Sequence, residues 1–208
     1  MKTAVVTGTT KPDGMGRAIA DLLQDNGFDV VALDKQNGMD VTNYALMDGA
    51  MQVAAQKTGK IDLLVNNAGI GIQKPFEDFT PEDWNAVIGV NLTGVYNCCK
   101  AALPHIHGGD IINIASRSGV NAHAGLVAYC AAKAGCVMFS EALGLDVRKF
   151  GIRVGYIMPG KVATNFVGEE KQPWMIQPED VAKTVLYMTN LPRRTSLGRV
   201  EIKPSFPA

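Results

Sequence analysis

The sequence predicts an α/β fold: a single doubly wound domain over residues 1–208, its mostly parallel sheet of about seven strands flanked by helices. Three observations carry this. Apolar runs of strand length alternate with longer stretches of helical period, the pattern of parallel strands joined by crossover helices. The first run ends in a glycine-rich turn that opens a helix. Further runs end in small or polar residues, and the carboxyl ends of the strands are where an open α/β sheet binds its ligands.

Residues 3–7 (Thr-Ala-Val-Val-Thr) form the first strand, followed by Gly8-Thr-Thr10-Lys-Pro-Asp-Gly14-Met15-Gly16. Arg17–Asn26 has helical periodicity through Ile19, Leu22 and Leu23, with Gly27 closing it. Phe28–Leu33 is the second strand and delivers Asp34 at its tip. Strand, glycine-rich turn, helix, strand and acid together make a dinucleotide-binding pattern, in which backbone amides at the helix N-terminus face a pyrophosphate. Asp34 is placed to accept hydrogen bonds from ribose hydroxyls and to repel a 2′-phosphate, which points to NAD; Lys11 and Lys35 are nearby cations that leave NADP open.

Met39-Asp40-Val41-Thr42 follows with no room for a helix before it, then a helical stretch from about 43 to 58. Ile61–Val65 is a strand ending in Asn66-Asn67-Ala68-Gly69, small residues that suit close approach of a flat cofactor. Thr80 caps a long helix to about Ala102, with Pro81 at its first position and Asn91 in its interior, where Asn is expected to bend the helix or order water. Strands at Ile111–Ala115 and Gly151–Met158 flank another long helix. The second of these strands closes in Pro159-Gly160, and the irregular segment 161–177 past its end is a natural lid. A helix from Pro178 to about Asn190 and a short strand at Arg199–Lys203 end the chain.

The stretch Ser116–Lys133 concentrates the chemistry. Tyr129 and Lys133 stand four apart in an Ala-rich helical segment and share a face. A free phenol titrates at about pH 10, and an ammonium one turn away favours its phenolate. Ser116, at the carboxyl end of a strand, is placed to hydrogen-bond a substrate oxygen. Hydroxyl, phenol and fixed cation are what proton transfer at an alcohol oxygen needs.

Twenty acidic and twenty basic residues cancel, which argues against a nucleic-acid partner or a strongly charged membrane partner. No apolar run reaches transmembrane length, and the apolar run at the N-terminus is too short for a signal peptide. The four cysteines, Cys98, Cys99, Cys130 and Cys136, form no CxxC and read as reduced packing residues of a cytoplasmic protein. His105 and His107 lack companion ligands, so no metal site is expected.

Laid out this way, the chain resembles the short-chain dehydrogenase/reductase family over essentially its whole length. The carrying motifs are Thr7-Gly8…Gly14-Met15-Gly16, Asp40-Val41-Thr42, Asn66-Asn67-Ala68-Gly69, Asn91, Ser116, Tyr129-xxx-Lys133 and Pro159-Gly160…Thr164, in the family's order. The resemblance implies a Rossmann fold and hydride transfer between a nicotinamide cofactor and a secondary alcohol/ketone or 3-oxoacyl-type substrate. In it Tyr129 is the acid/base, Lys133 holds the nicotinamide ribose, Ser116 polarises the carbonyl and Asn91 keeps a relaying water. Gly8, Thr10, Gly14, Met15 and Gly16 belong to the phosphate turn. Asp34, Asp40, Val41, Asn67, Ala68 and Gly69 serve the adenosine side, and Pro159, Gly160, Val162 and Thr164 the nicotinamide side. The family also implies a homo-oligomer, tetramer or dimer, built through the two long helices and the last strand.

The chain departs from the family in three places. Five residues, Thr9–Asp13, separate the first two motif glycines, more than the family pattern has. The helix expected between the second and third strands is missing, and the lid is short. A competing reading is therefore a dinucleotide-binding sensor or partner protein without catalysis, supported by the altered glycine loop. A lyase on the same fold, like the halohydrin dehalogenases, is disfavoured by Lys133 and by the glycine turn. Val120, His123, Phe166, Trp174 and Met175 are candidates to line a substrate pocket.

Overall fold

The six strands lie in the order β2-β1-β3-β4-β5-β6, every neighbouring pair parallel. They are β1 (Lys2–Thr7), β2 (Phe28–Leu33), β3 (Leu63–Asn66), β4 (Asp110–Ile114), β5 (Arg153–Pro159) and β6 (Arg199–Ile202). Helices α1 (Met15–Asp25), α2 (Tyr44–Thr58), α3 (Pro81–Ile88), α4 (Gly94–Ala102), α5 (Val127–Val147) and α6 (Pro178–Asn190) connect them. The computed structural model describes residues 1–164, 166 and 170–205; the stretch of the expected lid at 165 and 167–169 lies outside the described residues.

Strands β1, β3, β4 and β5 are almost wholly buried, as strands covered on both faces must be. One apolar layer joins the sheet to α2, α4 and α5 through residues such as Met47, Met51, Val95, Cys99 and Cys136. The opposite layer joins it to α1 and α6 through Ile19, Leu23, Val181 and Val185. The order of strand addition reverses between β1 and β3, because β2 lies on one side of β1 and every later strand on the other. Such a switch point opens a crevice at the strands' carboxyl ends.

The sheet has six strands among the described residues, where the sequence predicts about seven. Between β2 and α2 the chain turns without adding a strand. Asp34 caps a single short turn, Lys35–Asn37, and Gly38 takes a left-handed φ of 84°. Residues 40–42 then form a turn that leads directly into α2. Asn97, buried in α4, donates to the carbonyls of Val41 (3.0 Å) and Thr42 (3.1 Å) and holds that turn against the helix. No strand forms beyond β2, which becomes the sheet edge.

The helix around Asn91 is continuous but not uniform. α3 begins in a capping box of Thr80 and Asp83, with Pro81 at its first position. Between α3 and α4 the chain makes one π-helical turn, Gly89–Thr93. Such turns are uncommon and frequently mark functional positions. Asn91 sits in this turn fully buried, its Nδ2 donating to the carbonyls of Val87 (2.9 Å) and Ile70 (2.8 Å). The expected bend is thus a local widening of the helix.

Candidate active site

Two cavities meet above the switch point, one of about 500 Å³ and one of about 410 Å³, sharing Met15, Thr164 and Phe166 as a common wall. The larger lies over β1, β2 and β3; the smaller lies over the ends of β4 and β5.

The floor of the larger cavity is built around Thr7 and Asn67. Thr7 Oγ1 accepts from the amides of Asn67 and Ala68, each at 3.0 Å, and Asn67 Nδ2 donates back to the carbonyls of Thr7 and Gly8 at 3.0 Å. This lashing joins the tips of β1 and β3 and fixes the first turn. Gly8 has φ +74°, and a Cβ there would stand 2.8 Å from Ala68 Cα. A Cβ on Gly16 would stand 2.0 Å from the Gly8 carbonyl oxygen, so α1 crosses the turn at a distance only glycine allows. Gly16 lies buried under the cavity rather than in its wall.

The long glycine loop has an internal brace. The Gly14 amide donates to the Lys11 carbonyl at 3.0 Å, and the Thr10 amide donates to Asp34 Oδ2 at 3.1 Å. Asp34 Oδ1 accepts from the Gln36 amide at 3.0 Å. Burial alone would raise the Asp34 pKa, but the hydrogen bonds from the Gln36 and Thr10 amides outweigh it and hold the carboxyl below its usual range. Asp34 is therefore ionised at neutral pH and ties the loop to the tip of β2. Asp40 is also held low, by the Thr42 amide and by Lys35, whose ammonium stands 2.9 Å away.

Gly8, Thr10, Gly14, Met15, Asp34, Asp40, Val41, Asn67, Ala68 and Gly69 all line this cavity, as do both cations, Lys11 and Lys35. Leu33, Met39, Ile70 and Val90 were not anticipated and complete an apolar rim. Val90 belongs to the π turn; its position beside Asn91 was the available signal.

Ser116, Tyr129, Pro159, Gly160 and Val162 line the smaller cavity, and Thr164 lines both. Ser116 caps the short turn Arg117–Gly119 and accepts from the Ser118 amide at 3.1 Å, which fixes its hydroxyl at the end of β4. Tyr129 projects from the first turns of α5, its ring 5.5 Å from that of Phe166. Lys133 lies behind Tyr129, buried, with Nζ donating to the Ile114 carbonyl at 2.8 Å and standing 5.7 Å from the Tyr129 ring centroid. Gly119 permits this approach of α5, since a Cβ there would be 2.8 Å from the Lys133 carbonyl oxygen.

Lys133 and Asn91 are in neither cavity wall. Asn91 Oδ1 is buried without a partner, and a Cβ on Gly69 would stand 2.8 Å from it. Of the expected pocket residues, His123 and Phe166 line the smaller cavity. Val120, Trp174 and Met175 do not: Val120 points to solvent, and Met175 is buried at the base of the lid. That base is closed by pairing of Val162 with Ile176.

A family model described as short chain dehydrogenase matches residues 37–174. An uncharacterized oxidoreductase of Staphylococcus aureus is 31% identical over 226 residues, covering 98% of this chain and 97% of the relative. This chain belongs to the short-chain dehydrogenase family. The family match begins just downstream of Asp34 and so leaves out the lengthened glycine loop. A D-beta-hydroxybutyrate dehydrogenase of Cupriavidus necator is 37% identical over 190 residues, 81% of this chain and 74% of that one. Among solved structures, a 3-ketoacyl-(acyl-carrier-protein) reductase from Brucella melitensis complexed with NADH superposes with a TM-score of 0.87 at 25% identity, covering 98% of this chain and 97% of that one. An alcohol dehydrogenase from Thermococcus sibiricus complexed with 5-hydroxy-NADP gives a TM-score of 0.90 at 22% identity, covering 100% and 98%, and shows the shared fold. As a short-chain dehydrogenase, the protein is an NAD(P)-dependent oxidoreductase acting on CH–OH groups. Among the described residues no helix is long and apolar enough to cross a membrane.

Proposed function

We propose that the whole chain works as one domain that binds NAD(H) in preference to NADP(H) and interconverts a secondary alcohol and its ketone, with Tyr129 as the acid/base. The observation that carries this is the meeting of the two cavities at Met15, Thr164 and Phe166, with Asp34 in one and Ser116 and Tyr129 in the other. The larger cavity suits an adenosine diphosphate moiety: it has a glycine cradle that a Cβ would fill, an ionised acceptor in Asp34, and an apolar rim. Asn67, Ala68 and Gly69 would form its floor, and Asp40 and Val41 would face the adenine. Pro159, Gly160, Val162 and Thr164 would hold the nicotinamide end.

The bound cofactor supplies or takes up the hydride. The chain's own residues handle the oxygen. The Ser116 hydroxyl orients the carbonyl, and Tyr129 gives its phenolic proton to that oxygen in reduction and takes it back in oxidation. Lys133 is buried close behind Tyr129 and keeps a cation beside the phenol. Asn91, with its unpartnered buried Oδ1, holds the position from which a water would serve Lys133. By family likeness the enzyme is a cytoplasmic homo-oligomer, a tetramer or dimer.

Asp34 carries the cofactor preference. In Asp34→Ala the ribose acceptor and the charge opposing a 2′-phosphate are lost together, while Lys11 and Lys35 remain. Titration by nicotinamide fluorescence is expected to show the NADH/NADPH affinity ratio falling about ten-fold or more. A ratio equal to that of the unaltered protein would remove the NAD assignment.

A further inference from the structure

Beneath the cleft runs a chain of side-chain hydrogen bonds that the chemistry at the oxygen does not use. Asn66 at the end of β3, Asn113 in β4 and Ser140 in α5 are all buried. Asn66 Nδ2 donates to Asn113 Oδ1 at 2.8 Å, Asn113 Nδ2 donates to Ser140 Oγ at 2.8 Å, and the Ser140 hydroxyl donates to the Cys136 carbonyl at 2.7 Å. Each donor points onward from the sheet into the helix. The chain lies in the apolar layer that contains Cys99 and Cys136, and Asn66 Nδ2 also donates to Cys99 Sγ at 3.2 Å. Apolar groups of the same shape would fill these places at little cost in stability. What hydrogen bonds add there is direction, which apolar packing lacks.

Helix α5 has a use for that direction. Around Lys133 it buries short side chains, Ala128, Ala132 and Cys136, which interlock weakly with their surroundings. Ser140 follows Lys133 by seven residues, two helical turns, so the two project from the same face. They meet neighbouring residues of β4: Ser140 takes the Asn113 amide, and Lys133 Nζ donates to the Ile114 carbonyl at 2.8 Å. Lys133 lies behind the walls of both cavities, so its reach toward a bound cofactor depends on where α5 holds it. Without the Ser140 oxygen the Asn113 donor is left buried and unpaired. A shift of α5 relieves it and carries Lys133 along.

We propose that Asn113 and Ser140 are positioning residues for Lys133: their directed bonds set the register of α5 on β4, and with it the place at which the ammonium meets the nicotinamide ribose. This rests on the proposed function above, with Lys133 in the ribose-holding role that the family resemblance gives it.

The test is a double-mutant cycle on NADH affinity, read by nicotinamide fluorescence in the unaltered protein, Ser140→Ala, Lys133→Met and the double variant. Lys133→Met is expected to weaken NADH about ten-fold or more and Ser140→Ala about five-fold. In the Lys133→Met background, Ser140→Ala should change affinity by less than about two-fold. Asn113→Leu is a second route to the same loss, since it removes the donor while Ser140 keeps its bond to Cys136, and it should follow Ser140→Ala in both backgrounds. A merely structural role would weaken NADH equally with and without Lys133, and that result would overturn the proposal, as would unchanged affinity in both Ser140→Ala and Asn113→Leu. Unchanged affinity in Lys133→Met is a different failure: it would take Lys133 off the ribose, and the positioning role would fall with that reading.

Discussion

Tyr129→Phe is expected to lose turnover by about 10³-fold or more while binding NADH within about two-fold of the unaltered protein. The substitution keeps the ring, and with it the packing against Phe166 and the space in front of Lys133. Only the phenolic oxygen goes, and with it the transferable proton in front of the buried Lys133. Steady-state rates with any turned-over ketone, paired with an NADH titration of the same preparation, read the two quantities separately. Turnover close to that of the unaltered enzyme would show that the proton comes from elsewhere. A parallel loss of NADH binding would instead point to collapse of the cleft.

Gly16→Ala is expected to have the largest effect on folding. The added methyl would meet the Gly8 carbonyl oxygen at 2.0 Å and Asn67 Nδ2 at 2.5 Å, both parts of the lashing between β1 and β3. Backbone cannot yield as a flexible side chain does, so α1 must lift from the turn. Overpacking of this kind costs about 3 kcal/mol or more where neighbours cannot move, and the lifted turn should weaken NADH binding at least about ten-fold. Gly49→Ala is the matched control: Gly49 lies in α2, with nothing within 4 Å of its would-be Cβ. It should be neutral or stabilising by up to about 1 kcal/mol, because alanine is the better helix former. Urea unfolding of the two variants compares them directly. Equal stabilities would mean that the close crossing of α1 over Gly8 is not a constraint.

Much of the site was legible because its geometry follows from local rules. A strand, a glycine turn, a helix and an acid at the next strand's tip determine where a cleft must open, and Tyr129 and Lys133 share a helix face whatever surrounds them. The strand count was not legible in the same way. The turn at residues 40–42 is held by Asn97, far along the chain, which reaches the Val41 and Thr42 carbonyls from α4. The π turn at Asn91 is similar: an Asn inside a helix signals a disturbance, but its form depends on the Ile70 carbonyl that Asn91 finds across the fold. The course of the longer glycine loop follows from a contact outside it. The Thr10 amide binds Asp34, an acid that sequence logic reserves for the ribose. Trp174 and Met175 lie close in sequence to the cleft, yet neither lines the smaller cavity: Met175 is buried, and the Trp174 ring lies under the Lys161 ammonium.

Titration of the purified protein with NADH and, separately, with NADPH, followed by nicotinamide fluorescence, probes the cofactor site directly. Saturable NADH binding, tighter than that of NADPH, is the predicted result, because Asp34 is ionised and lines the cavity together with Lys11 and Lys35. Tighter NADPH binding would transfer the cofactor choice to those two lysines. Binding of neither would contradict the cofactor assignment, leaving a short-chain dehydrogenase fold whose braced glycine loop does not admit a dinucleotide.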